Sequence, residues 1–326
     1  MEEPLVSVLC ITYNHARYIR ETLDGIMVQK TNFPYEVLIH DDASTDGTAD
    51  IIREYETKYP EIIKPIYQTR NLYSQGIEVE KIEKEYQFSR VKGRYIAICE
   101  GDDYWTDPQK LQRQFDALEA HPELDMCAHG TIKRYPSGRE VPLNVVSQPV
   151  IITTEQIILG GGLSVSSCSL MYRKAMLDKP WRFFSFWSYD YPTKILGSLR
   201  GGILCLPYTM AVYRFMSGPD AWTSRVLKDR EKEISHTKKR LQLLDYLNED
   251  TNFQFDGAIQ TAKKKFSFDL LWYQEDYRAM RRREYSELYR KLPLKKRAFV
   301  CLGGVCPGII KILHEELVNK LLKERI

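Results

Sequence analysis

Asp102 and Asp103 stand side by side, two residues after Glu100, directly behind the apolar run Tyr95–Cys99. Adjacent carboxylates repel unless a cation or hydrogen-bond donors join them. A hard divalent ion that takes phosphate oxygens as its other ligands meets that demand. Two solvated acids in an ordinary turn would meet it equally. Two more polar clusters follow apolar runs in the same manner. Thr12-Tyr13-Asn14-His15 follows Leu5–Ile11, and the string from Asp41 to Asp46 follows Tyr35–His40. Asp190 is the sole acid of an aromatic stretch, Phe183–Tyr191. It either caps a helix over Pro192–Leu199 or serves as a base positioned and desolvated by its surroundings.

These clusters need a scaffold that brings them together. The apolar runs read as buried strands, and the segments between them carry helical spacing. Ile19, Leu23, Ile26 and Met27 form one such face; Ile51, Ile52, Tyr55 and Tyr59 a second; Leu111, Phe115 and Leu118 a third. Ile62–Tyr67 gives a further strand, and Asp107-Pro108 reads as a helix start. Strands alternating with helices argue an α/β fold with a mostly parallel, doubly wound sheet. Right-handed crossovers then place all three polar clusters along one sheet edge, where open sheets bind ligands. Farther along, residues 125–150 read as short strands and turns, Thr153-Thr154-Glu155 as the start of a short helix, and Ser164–Arg173 as a half-polar strand. From about Val226 the pattern turns helical and charge-rich, so the expected domains are 1–222 and a helical region, 223–326.

Composition sets outer limits. The chain has 326 residues, 43% hydrophobic and 28% charged, with a formal net charge of +3. That balance is ordinary for a globular protein and too small to imply nucleic acid. Seven cysteines are scattered without zinc-ligand spacing, which suits a reducing compartment. The acidic start, Met1-Glu2-Glu3-Pro4, is no signal peptide, and no uninterrupted apolar run is long enough to span a bilayer. A cytoplasmic protein is expected. Dinucleotide binding would want Gly-x-Gly-x-x-Gly after the first strand, where Thr-Tyr-Asn-His stands, and no phosphate-loop motif occurs elsewhere.

With these residues in view, Val6 to Trp222 resembles the family-two glycosyltransferases, which have a single nucleotide-binding sheet of the A-type fold. The likeness is to bacterial members that build surface polysaccharides. It is carried by Val6–Asn14, by Val37 to Thr48, by Gly101-Asp102-Asp103, and by Trp187-Ser188-Tyr189-Asp190 with Ala211-Val212-Tyr213-Arg214. The resemblance implies that Thr12, Tyr13 and Asn14 line a nucleotide pocket and that Asp42 accepts a hydrogen bond from the base. It implies Asp102 near the ribose, Asp103 on a Mg²⁺ or Mn²⁺ ion, and Asp190 as general base. It also implies a nucleotide diphosphate sugar donor, a saccharide or lipid-linked saccharide acceptor, and inversion at the anomeric carbon. Glu100 departs from the family's more frequent Asp at that place, and Met216 stands near where many relatives have His.

Other enzyme and non-enzyme classes remain beside this one. A sugar nucleotidyltransferase would need basic residues near the first strand to hold a triphosphate, and Arg17 and Arg20 are the ones near it. A non-catalytic scaffold of the same fold would not need Asp42, Asp102, Asp103 and Asp190 together. Ala279 to Arg297 is strongly basic, and the apolar run 298–310 after it is broken by Gly and Pro. Such a collar suits the anionic inner face of a membrane; a solvated basic helix with a packed hairpin is the plainer alternative. It lacks the interleaved aromatics of a nucleic-acid platform.

Overall fold

The computed structural model describes residues 2–187, 190–215, 217 and 229–305. The chain divides into two compact units, Met1–Ala221 and Trp222–Ile326.

In the first unit, the early alternation of strands and helices forms as its periodicity dictates: β1 (Val6–Thr12), α1 (Ile19–Met27), β2 (Tyr35–Asp41), α2 (Thr48–Lys58), β3 (Ile63–Tyr67) and, after α3 (Val79–Tyr86), β4 (Tyr95–Ile98). These strands pair in parallel in the order β3-β2-β1-β4. Val6, Val8, Val37, Ile39, Tyr95 and Ala97 are buried, as strands covered on both faces require. Gly93 admits the close approach of β1: a Cβ there would sit 2.6 Å from Ser7 N.

The second half of the sheet is mixed. It follows β5 (Tyr104–Trp105), α4 (Lys110–Ala120), β6 (Met126–Arg134), β7 (Glu140–Leu143), β8 (Val150–Ile152), α5 (Thr154–Gly160), β9 (Met171–Arg173), α6 (Arg182–Phe186), α7 (Asp190–Ser198) and β10 (Ile203–Arg214). The order continues β4-β9-β6-β10-β5, with β9 antiparallel to β4 and β6, and β10 parallel to β6.

Local differences from the sequence expectations have local causes. Residues 164–173 form only a three-residue strand. Ser167–Ser169 is instead a 3₁₀ turn in which Ser169 Oγ donates to Ser166 O at 2.6 Å, the serines bonding their own backbone rather than a ladder. Helix α4 begins at Lys110, and Asp107 accepts from Gln109 N at 2.8 Å just ahead of it. Residues 126–134 make a nine-residue interior strand rather than a short one. Thr153 heads α5 with a capping box completed by Gln156.

The second unit is helical among its described residues. Helices Arg230–Asp250 and Asp256–Tyr273 bury Leu243, Leu244, Leu247, Ile259 and Ala262. The apolar run 298–310, for which a packed hairpin is the plainer alternative on sequence, is helical as far as Val305 within a helix over Leu294–Val305, with Phe299 and Val300 buried; residues 306–310 of that run lie outside the described residues. No helix among the described residues is long and apolar enough to cross a membrane.

Candidate active site

The carboxyl ends of β1, β2 and β4 lie together, since Thr12 pairs with Asp41 and Leu9 with Ile98. Asn14 joins the first two ends. Its backbone is left-handed, φ +53°, its N–H donates to Ser44 Oγ at 2.9 Å, and its Oδ1 accepts from Thr45 N at 2.9 Å. The loop after β2 is closed upon itself. Asp41 accepts from the amide of Ser44 at 3.1 Å and its hydroxyl at 2.5 Å, and Asp46 accepts from Thr48 N and Ala16 N, both at 3.0 Å. Burial pushes the Asp41 carboxyl up despite the Ser44 bonds. Asp42, 5% exposed, accepts from Leu72 N at 2.7 Å and Tyr73 N at 3.2 Å.

The loop after β4 is different. Gly101 packs so tightly on β1 that a Cβ would meet Thr12 and His15 at 2.8 Å. Thr12 is fully buried, so its hydroxyl faces Gly101 and not open space. Thr12 Oγ1, His15 Nδ1 and Glu100 Oε2 are buried without hydrogen-bond partners. From α1, Thr22 Oγ1 donates to Asp103 O at 2.6 Å and Gly101 O at 3.1 Å, fixing the loop backbone.

Successive side chains on this loop diverge. Asp103 is 3% exposed and turned inward, its Oδ1 accepting from Arg214 N at 2.8 Å. Asp102 is half-buried and accepts from Ser217 Oγ at 2.6 Å. Asp103, expected on the metal, is thus bonded into the end of β10, and of the two carboxylates Asp102 is the more open to a solvent-borne ion. Arg214 fastens the arrangement: Nη1 donates to Asp102 O at 2.7 Å, Nη2 pairs with Glu21, and the guanidinium lies over the Tyr18 and Tyr104 rings.

Asp190 opens α7. It is not wrapped in aromatics: Phe183, Trp187 and Tyr191 are core residues, while the Asp190 side chain is 54% exposed. Ser167 Oγ donates to its Oδ2 at 2.7 Å, and the buried Lys194 places Nζ 3.7 Å from the same oxygen. Glu100 is pushed up to about 8 by burial and then by the Asp190 charge. Burial, then Asp102 and Glu100, hold Asp103 well above its usual range as well.

Four acids thus meet at one sheet edge, and burial with neighbouring carboxylates displaces two of them, Glu100 and Asp103, toward their protonated forms. That is the electrostatic setting a divalent cation relieves. Among the described residues, no three His, Cys, Asp or Glu side chains form a metal cage by themselves, so an ion at Asp102 would draw its remaining ligands from phosphate and water. Ser167, Lys194, Arg214 and Ser217 were not assigned roles from sequence. Each acts through a contact more than twenty residues away in the chain or, for Lys194, through a helix register that only the start of α7 fixes. Tyr189, Met216 and Asp220 lie outside the described residues.

The model of Glycosyl transferase family 2 matches residues 7–218. An uncharacterized protein of Mycobacterium tuberculosis is 37% identical over 210 residues, covering 64% of this chain and 58% of that protein. A putative teichuronic acid biosynthesis glycosyltransferase of Bacillus subtilis, TuaG, is 35% identical over 116 residues, 36% of this chain and 42% of that one. Among solved structures, S. aureus TarS in complex with UDP aligns with a TM-score of 0.54 at 20% identity, covering 90% of this chain and 76% of that one; the likeness is one of fold. The chain spans about 58% of the length of the mycobacterial relative. With two thirds of its residues under the family model and the acid-bearing strand ends in place, the chain belongs to Glycosyl transferase family 2.

Proposed function

We propose that the chain transfers a sugar from a nucleotide diphosphate sugar, most readily a UDP-linked one, to a hydroxyl of a saccharide or lipid-linked saccharide in polysaccharide biosynthesis. The observation that carries this is the meeting of Asp102, Asp103, Glu100 and Asp190 at the carboxyl edge of the sheet. The likeness to TuaG, a putative teichuronic acid biosynthesis glycosyltransferase, supports the reaction class, and the UDP held by TarS supports the donor.

Asp102 would hold Mg²⁺ or Mn²⁺ there, and the ion would neutralise the leaving diphosphate as a Lewis acid. Asp190 takes the proton of the acceptor hydroxyl, held on aim by Ser167 and Lys194. Glu100 is displaced toward its protonated form by burial, and Asp190 is the more accessible carboxylate, which favours single displacement with inversion. The nucleotidyltransferase alternative loses ground because Arg20 is already paired with Glu54 at 2.7 Å. Tyr13 and Asn14 on one side and Asp42 on the other would frame the nucleoside. The basic run 279–297 would add contact with an anionic membrane surface, weakened by salt.

A panel of nucleotide sugars incubated with the protein, with and without Mn²⁺, tests the proposal. Slow metal-dependent hydrolysis of one donor, lost in Asp102→Ala, is expected. No hydrolysis or binding of any donor by the native chain would overturn it.

A further inference from the structure

The charge of the chain is unevenly spread. Residues 278–297 hold nine basic side chains against two acidic ones, although the whole chain is only +3. Within that stretch, Ala279–Arg281 forms a 3₁₀ turn whose conformation is fixed from below. Ala279 and Met280 are 2% and 0% exposed, Met280 packing with Phe268, Tyr277, Phe299 and Val300. Asp276 Oδ1 accepts from Ala279 N at 2.9 Å, and Arg282 N donates to Ala279 O at 3.0 Å.

With the small and apolar residues driven inward, Arg278, Arg281 and Arg282 are left exposed. Together with Asp276 and Ala279 they line an open cavity of about 470 Å³. The neighbouring acids make no close pair with them: Glu275 pairs with Arg230, Glu287 pairs with Lys291, Asp276 is one carboxylate against three guanidiniums in the cavity wall, and no ion pair joins the three arginines to a carboxylate among the described residues. Three guanidiniums on one small turn repel one another, and an anion that accepts from several planar forks at once reverses that cost. The volume is within the range of small-ligand sites.

We propose that this turn is a binding site for a phosphate-class anion, a phosphate monoester or diphosphate. The arginines would take the phosphate oxygens, and Asp276 would accept a hydroxyl of the group attached to them. Among the described residues, the cavity wall carries no aromatic ring on which a base would stack, so a nucleic acid is not the ligand class. The proposal rests on the arginine turn alone and not on the transfer reaction. The phosphate has two chemical sources, a soluble phosphorylated saccharide or the headgroup of a lipid.

Calorimetry of the full chain with inorganic pyrophosphate, in buffer free of divalent ions, is the test. The native protein should bind, and Arg281→Ala/Arg282→Ala should bind at least about tenfold more weakly. Arg281→Lys/Arg282→Lys keeps the charge and loses the forks, and should fall between the two. Vesicles containing phosphatidylglycerol separate the sources. Vesicle binding displaced by pyrophosphate assigns the phosphate to a headgroup, and pyrophosphate binding without vesicle binding assigns it to a soluble ligand. Failure of the native chain to bind pyrophosphate, or equal binding by all three proteins, overturns the proposal. UDP binding with Mn²⁺, measured on the same preparations, reads the sheet-edge site separately and should not change.

Discussion

The loops that follow β2 and β4 are built from similar residues and behave in opposite ways. After β2, each acid finds donors within the protein: Asp41 in Ser44, Asp42 in the amides of Leu72 and Tyr73, Asp46 in Thr48 and Ala16. After β4, Glu100 keeps an unpartnered buried oxygen, and it and Asp103 are displaced toward their protonated forms by burial and by other carboxylates. The first loop is complete without a ligand. The second is stable only to the extent that protons or cations compensate it, and this is the usual trade between stability and function at a site. The first loop holds its shape with left-handed residues, Ala43 at φ +60° within it and Asn14, at φ +53°, tied into it from the end of β1.

This contrast can be broken at its ends. The largest effect is expected beside the open loop. Asp190→Asn keeps the shape and cannot take a proton, so the transfer rate should fall on the order of 10²- to 10⁴-fold with UDP affinity nearly unchanged. A lowered melt with transfer near the native rate would reduce Asp190 to a helix-start residue, worth about 1 kcal/mol. In the closed loop, Asp42→Ala leaves two backbone amides unpaired, at about 1–3 kcal/mol each, and should lower the melting temperature by several degrees as well as weaken UDP with or without metal. Asp102→Ala should do the reverse, losing metal-dependent UDP binding while the melt holds or rises. Similar melting losses in both variants would erase the distinction between the loops.

The smallest effect is a slope. Glu100 titrates at about 8 in the folded chain against an ordinary value of 4.5, so the folded chain holds an extra proton between those values. Its contribution to stability is complete below about 4.5 and declines as pH rises through 8. Glu100→Gln should flatten the fall in melting temperature across that interval; an unaltered slope would place the proton elsewhere.

The strand ends and their polar clusters were legible because β1, β2 and β4 are runs of buried residues with turn formers behind them, a pattern local to each segment. The inward turn of Asp103 was not legible, because adjacent residues on a strand-end loop face opposite ways and only the end of β10 decides which is bonded. The closed state of Asp42 depends on amides thirty residues downstream. The aromatics around Asp190 were read as a wall for the acid, yet Phe183 and Trp187 pack into the core, and a solitary acid in an apolar string carries no mark of which way it points. Residues 164–170 show the limit of alternation: serines that bond their own backbone imitate a half-polar strand.

β10 is the last strand of the sheet in chain order, yet it occupies an interior place between β6 and β5. During synthesis, β6 is finished roughly eighty residues before Arg214 is added. At about 5–20 residues per second, one edge of β6 stays without its permanent neighbour for several seconds. An unpaired edge of that length invites pairing with other chains. The nascent chain is therefore most open to mispairing in the interval before Arg214, which fastens the loop after β4, is added.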